Sequence, residues 1–211
     1  MRSVFDGYEI RSIYGLWCFI KNIPTFIKWS HQRIHKGYCD RDYYCFCYWF
    51  LEIVPDMLEE LNENRHGYFQ IDENGKVIHS FDEISDEQEK IYSERYGDML
   101  KMIARYLRES TEENCSMKNP YDQPLNEIFA AFEKKYGLTG EKLMSTEEKE
   151  KTRKTGEYPY YSPSDVPAEF LEYEDIWQKH WEYDVKINVH REKVRKVALD
   201  MFAKYFDTLV D

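Results

Sequence analysis

Candidate metal ligands cluster near the N-terminus of this chain. His31 and His35 stand four residues apart, which places both imidazoles on one face of a helix. Cys39, Cys45 and Cys47 follow closely, and thiolates together with imidazoles complete tetrahedral zinc sites. No C-x-x-C pair is present, however, and Cys45 and Cys47 would point about 200° apart around a helix. We therefore predict no metal site and no cofactor, and we interpret the cysteines as small core residues.

Two carboxylates flank Arg41 in the same stretch. Asp40 and Asp42 could hold Mg²⁺ in a phosphoryl-transfer or nuclease site, and this reading makes the chain a Mg²⁺-dependent enzyme acting on nucleic acid. Aspartate at the start of a helix also accepts backbone N–H groups and favours the positive end of the helix dipole. Because no further carboxylate stands at the spacing of a metal motif, we predict capping for this pair and keep pairing with a cation of the fold as an alternative.

The common catalytic motifs are absent from the sequence. It contains no phosphate-binding G-x-x-x-x-G-K-[ST], no dinucleotide-binding G-x-G-x-x-G, no G-x-S-x-G and no H-E-x-x-H. These absences disfavour the enzyme classes that depend on such motifs. We assign no catalytic residue and favour a protein that is not an enzyme.

Positive charge is concentrated in the first part of the chain. Residues 1–41 hold seven Lys and Arg against three acids and sum to +4. Because the whole chain has a net charge of −11, the remaining residues sum to −15. A basic, aromatic strip there could bind a small anionic ligand such as a nucleotide signal, whereas the acidic remainder disfavours duplex nucleic acid. The same cations could instead pair with acids of the fold. The candidate anion-binding residues are Lys28, His31, Arg33, His35, Lys36 and Arg41.

Two other groups of residues are candidate interaction sites. Glu52, Asp56, Glu59 and Glu63 align as an acidic stripe on a predicted helix. Such a stripe either imitates nucleic-acid phosphates in front of a partner or is a solvated face that keeps the protein soluble. The second group is tyrosine-rich, and tyrosine is favoured at protein interfaces. Its members are Tyr158, Tyr160 and Tyr161.

Composition indicates a folded globular protein. The 211 residues are 42% hydrophobic and 17% aromatic, well above what disordered chains carry. The five cysteines lack the spacing of a secreted disulfide framework, which favours a reducing compartment. The N-terminus does not resemble a secretory signal, and the apolar window 13–29 is interrupted by charges and Pro24. We expect no membrane association.

Hydrophobic periodicity predicts a mainly α-helical fold. Apolar residues recur at helical spacing over 10–36, 42–63, 85–108 and 125–136, and in two further helices after residue 167. Asn74-Gly75 between two apolar runs predicts one small β-hairpin around 68–81. Residues 139–167 show no periodicity and are predicted to be a mobile loop. We predict a single helical domain over residues 1–211, a bundle of five to seven helices with one hairpin.

Two segments near the ends of the chain have a distinctive residue pattern. Residues 33–44 read Arg-Ile-His-Lys-Gly-Tyr-Cys-Asp-Arg-Asp-Tyr-Tyr and lead into an amphipathic helix. This stretch resembles the Arg-Gly-(Tyr/Phe)-x-Asp-x-Asp-x-Trp that precedes such a helix in a family of uncharacterised tailed-bacteriophage proteins. The C-terminal Leu-Asp-Met-Phe-Ala-Lys-Tyr-Phe-Asp-Thr-Leu-Val-Asp is similar to its ending Leu-Phe-x-Lys-Tyr-Phe-x-x-Leu-Trp-Asp. Tyr44 and Val210 depart from the pattern, since the family usually has Trp at both positions. The resemblance implies a phage origin and expression in the cytoplasm of a bacterial host, and it implies no activity.

These observations predict a phage accessory protein that binds a bacterial host factor without catalysis. A protein of host defence or gene expression is the expected partner, and inhibition of host defence is one such role. The alternatives are a sequestering binder of an anionic nucleotide and the Mg²⁺-dependent enzyme described above. The oligomeric state is left open.

Overall fold

The computed structural model of this chain describes residues 13–40, 42, 46–64, 69–79 and 84–209. Within these ranges the protein is mainly helical, and the strands β1 (Phe69–Ile71) and β2 (Val77–His79) form one antiparallel pair. The prediction of a mainly α-helical bundle with a hairpin around 68–81 is confirmed. The helices are α1 (Ile13–Lys36), α2 (Phe46–Asn64), α3 (Asp86–Glu109), α4 (Asp122–Tyr136), α5 (Thr146–Thr155) and α6 (Tyr173–Lys204).

The chain divides into two compact units. The first unit comprises residues 1–114 and 194–211, and the second unit comprises residues 115–193. The assignment of residues 1–211 to a single domain stays a prediction. Among the helices of the described ranges, none is both long and apolar enough to cross a lipid bilayer.

Helix α3 is the centre of the first unit. A Ser followed three residues later by Gln is the sequence pattern of a capping box, and α3 begins with one: the Ser85 side chain accepts from the backbone N–H of Gln88, and the Gln88 side chain accepts from the backbone N–H of Ser85. Its inward face is inaccessible to solvent because α2 and β1 pack along it. The buried cluster around this face consists of Leu58, Ile71, Tyr96, Met99, Leu100, Ile103, Ala104, Leu107, Ala198 and Tyr205.

The hairpin is held on the helices of the first unit. Gly75 occupies the turn with φ +73°, a conformation that favours glycine, and the Asp72 carboxylate accepts the backbone N–H groups of Asn74 and Lys76 at 2.8 Å. The Tyr205 hydroxyl donates to the Gly75 carbonyl at 3.3 Å. A two-stranded sheet is marginal by itself, and this contact ties it to the C-terminal residues.

The second unit is assembled from α4 and the beginning of α6. Phe132 is buried and contacts Phe170, with ring centroids 5.9 Å apart. Buried Asn119 donates to the His180 carbonyl at 2.9 Å and to the Asp184 carboxylate at 2.8 Å. These bonds fix the segment before α4 to the side of α6, because a buried amide must satisfy its donors within the protein.

Two secondary-structure predictions are wrong. The two helices expected after residue 167 are one continuous helix, α6, since residues 186–193 contain neither Gly nor Pro to end it. Residues 139–167 contain α5, which no hydrophobic periodicity indicates because Thr152 is its only buried residue. Ser145 and Glu148 start α5 with a capping box, and Gly156 ends it at φ +73°.

Candidate functional site

The segment between α1 and α2 is where the charge of the sequence changes sign, and it follows directly on the candidate anion-binding residues of α1. Helix α1 ends where the sequence predicts, because Gly37 adopts φ +78° and its N–H donates to the Arg33 carbonyl at 3.0 Å. The chain then reverses, so that Asp40 and Asp42 lie alongside the last turns of α1. Five polar contacts, from Lys28, Gln32 and Arg33 of α1 to Asp40 and Asp42, connect the two.

Asp42 is held by two groups of its own chain. Its Oδ1 accepts from Arg33 Nη2 at 2.6 Å, and its Oδ2 accepts from Arg33 Nε at 3.1 Å. The Cys39 backbone N–H donates to Oδ2 at 2.8 Å, which is the helix-start contact predicted from the sequence. The Arg33 guanidinium holds the pKa of the Asp42 carboxyl at about 2, below its ordinary 3.8. Asp42 is therefore an ionised structural residue whose side chain is 8% exposed.

Asp40 is engaged in the same way, on the surface. Its carboxylate lies 2.7 Å from Lys28 Nζ and accepts from Gln32 Nε2 at 2.9 Å. Its backbone N–H donates to Gln32 Oε1 at 3.1 Å. Lys28, followed by Gln32, lowers the pKa of the Asp40 carboxyl. Both aspartates thus bind cations of α1, an arrangement that supports pairing within the fold rather than a shared Mg²⁺ ion.

The candidate anion-binding residues separate into two groups. Lys28 and Arg33 are neutralised by Asp40 and Asp42. His31, His35 and Lys36 are exposed, and the two imidazole centroids lie 4.2 Å apart. Arg41 and Cys45 lie outside the described residues. In the described part of this segment, the histidines do not come together with Cys39 or Cys47 as a set of three metal ligands.

A cavity opens beside the Arg33–Asp42 pair. Its volume is about 370 Å³. The rings of Phe46 and Trp49 stack at 5.9 Å along one wall, and Lys36 supplies the exposed cation. Among the described residues, the cavity is lined by Lys36, Gly37, Tyr38, Asp42, Phe46 and Trp49. Phe46 lies on the apolar face of α2 by its spacing, yet it is 62% exposed and lines the cavity.

Two of the four carboxylates of the acidic stripe on α2 are paired with an arginine of the same fold. Arg108 of α3 donates to Asp56 at 2.8 Å and to Glu59 at 2.6 Å, with a second bond from its Nη1 to Glu59. This contact lowers the pKa of the Glu59 carboxyl. Glu52 and Glu63 of the stripe are exposed. Half of the stripe therefore joins α2 to α3, which weakens the interpretation as an imitation of nucleic-acid phosphates.

In the tyrosine segment, residues 158–161 of the second unit, Tyr161 is hydrogen-bonded within the unit, whereas Tyr158 and Tyr160 are exposed. The Tyr161 hydroxyl donates to Glu148 of α5 at 2.7 Å, and its backbone N–H donates to the Thr139 carbonyl at 3.1 Å. The same hydroxyl holds the pKa of the Glu148 carboxyl at about 2. Tyr158 and Tyr160 are 71% and 69% exposed. The segment is thus fixed by Tyr161, while its two neighbours direct their rings to solvent.

Neither protein-family models nor curated proteins nor solved structures contain a match to this chain.

Proposed function

We propose that this chain is a non-enzymatic binding protein that attaches to a protein partner through Tyr158 and Tyr160. The observation that carries the proposal is the exposure of both rings beside the anchored Tyr161. An exposed aromatic side chain on a fixed segment loses little conformational entropy when it is buried in a pocket of a partner, and such residues dominate binding energies. The resemblance to phage proteins makes a bacterial host protein, of defence or gene expression, the expected partner in the host cytoplasm.

The proposal is tested by affinity capture from bacterial lysate, followed by reconstitution with the purified partner. The variant is Tyr158→Ala/Tyr160→Ala, and the control is Tyr48→Ala, which removes a tyrosine of α2 that is 73% exposed. We expect the double variant to raise Kd at least tenfold, since one hot-spot tyrosine contributes more than about 1.4 kcal/mol. Equal Kd values for the double variant and the control would contradict the proposal.

A second candidate function is supported by the cavity between α1 and α2. Stacked Phe46 and Trp49, with Tyr38 and the Lys36 ammonium at the rim, suit a flat ring that carries an anionic group. A nucleotide has this combination of a flat ring and an anionic group, and a cavity of about 370 Å³ is large enough to bind one. The protein would then sequester a nucleotide signal.

This second function is tested by calorimetric titration with cyclic and linear nucleotides. Lys36→Glu and Trp49→Ala are expected to abolish binding, and Lys101→Glu on α3 is the control for a changed exposed charge. Arg33→Glu is unsuitable, because it would place a second carboxylate against Asp42 and disturb the fold. Absence of a heat signal with every nucleotide would contradict the sequestration function and leave the tyrosine proposal intact.

A further inference from the structure

The charges around the cavity between α1 and α2 leave one cation to a ligand. Asp42 lines the cavity, but both of its carboxylate oxygens accept from Arg33, so these two charges cancel. Lys36 is the other charged residue of the described lining, and no carboxylate in the described ranges forms an ion pair with it. Asp40 feels the charge of Lys36, yet its own ion pair is with Lys28 at 2.7 Å. A bound molecule therefore meets one uncompensated positive charge from these residues.

Nucleotides differ in how much negative charge they would bring to Lys36. A phosphate monoester carries about −1.5 to −2 near pH 7, and a triphosphate carries more. A cyclic mononucleotide is a phosphate diester and carries a single negative charge. A charge that loses water without gaining a partner raises the free energy of a complex, so the diester is the form that one ammonium group matches. The net charge of −11 on the whole chain adds to the cost of every further phosphate.

The size and the aromatic wall of the cavity favour the same class of ligand. A volume of about 370 Å³ lies near the lower end of the range for small-molecule sites. The rings of Phe46 and Trp49 lie 5.9 Å apart with 23° between their planes, so together they offer one flat face on which a base can stack. A cyclic dinucleotide brings a second base and a second phosphate. The described lining holds neither a second stacked pair nor a second unpaired cation for them.

We propose that the cavity binds a cyclic mononucleotide, with the base stacked on Phe46 and Trp49 and the phosphate diester against the Lys36 ammonium. This ligand class rests on the sequestration function proposed above, which it narrows by charge and by size. Arg33 has no direct part in binding, because its guanidinium is already held by Asp42. Lys36 is thus the residue that selects for a single phosphate charge.

Calorimetric titration of the full chain tests the ligand class. Cyclic monophosphates and triphosphates of the four common bases are titrated first, and the cyclic dinucleotide of the base that binds most tightly follows. We expect the cyclic monophosphate of that base to bind at least tenfold more tightly than its triphosphate and its cyclic dinucleotide. Equal or tighter binding of either of these would overturn the proposal and leave the sequestration function standing. No heat signal with any of the nucleotides would contradict the sequestration function itself.

The dependence of Kd on salt tests the role of Lys36. An ion pair at the surface is screened by salt, so the Kd of the wild type for the cyclic mononucleotide should rise with ionic strength. Lys36→Met should raise Kd at least tenfold at low salt and remove most of the salt dependence. Lys101→Met, which removes an exposed lysine of α3, is the control and should behave like the wild type. A Lys36→Met protein with the Kd and salt dependence of the wild type would overturn the proposal.

Discussion

Arg33 binds both carboxylate oxygens of Asp42, a residue nine positions further along the chain. The pair closes the turn between α1 and the segment that leads to α2, and only 8% of the Asp42 side chain is exposed. The guanidinium geometry matches a carboxylate with two parallel bonds, which a lysine at position 33 would not reproduce. Arg33, a candidate anion ligand in the sequence, and Asp42, a candidate metal ligand or cap, are therefore responsible for the shape of the junction.

Replacing one member of this pair should destabilise the first unit. Arg33→Met leaves a nearly buried carboxylate without its cation, and we expect the free energy of unfolding to fall by about 2 kcal/mol in a urea titration. Lys36→Met, which removes an exposed cation three residues later, serves as the control. In a double-mutant cycle with Asp42→Asn, a coupling energy near zero would contradict the structural role.

The same pair predicts how stability depends on pH. The pKa of the Asp42 carboxyl is about 2 in the folded protein and near 3.8 without the contact, so the ion pair stabilises the fold above about pH 4. This contribution, about 2 kcal/mol, is lost as the pH falls from about 4 to about 2. The difference in unfolding free energy between wild type and Asp42→Asn should shrink over that range. A constant difference would show that the pKa of Asp42 is not lowered.

Alanine substitutions at two glycines of the second unit separate backbone strain from a steric clash. Gly140 and Gly156 have φ of +70° and +73°, so alanine is strained at both. A Cβ at Gly140 would also lie 2.5 Å from the Tyr161 Cβ, whereas at Gly156 no described atom lies within 4 Å. We expect Gly156→Ala to cost about 1 kcal/mol and Gly140→Ala about 3 kcal/mol in thermal unfolding. Equal losses would mean that Tyr161 does not pack against Gly140.

The bond from Tyr161 to Glu148 should protect α5 from proteolysis. Tyr161→Phe removes the hydroxyl that holds the Glu148 carboxylate at 2.7 Å, and α5 has little other support because only Thr152 in it is buried. Trypsin should then cut at the lysines and Arg153 of α5 several times faster, as fragment masses would show. Tyr160→Phe removes an exposed hydroxyl and should leave the cleavage rate unchanged. Similar rates for both variants would argue against the anchor.

Local sequence patterns predict much of this fold correctly. The capping box at Ser85 and Gln88, the αL residue at Gly37 and the Asn74-Gly75 turn each depend on neighbours within a few residues, and each is observed. The helix α5 has the same kind of local signal at Ser145 and Glu148. It was missed because its residues are almost all exposed, so hydrophobic periodicity is absent there.

The change of charge sign near residue 41 marks the junction, and the residue types there admit a metal, an anion or a helix cap, of which the sequence favours the cap. Lys28 and Arg33 are candidate anion ligands in the sequence, yet they meet Asp40 and Asp42 of the returning chain. Phe46 and Trp49 gave no functional signal, since an aromatic pair on an amphipathic helix has the same spacing whether it fills a core or lines a cavity.

The sequence by itself determined the class of the fold and the ends of several helices, because periodicity and capping are properties of neighbouring residues. The tertiary structure decided which charges are neutralised and which aromatic residues reach solvent. It joins Asp56 and Glu59 to Arg108, about fifty residues later in the chain, and it leaves Trp177 and Trp181 uncovered. Such outcomes depend on contacts between distant residues, and no local pattern encodes which of two equally apolar helix faces is turned inward.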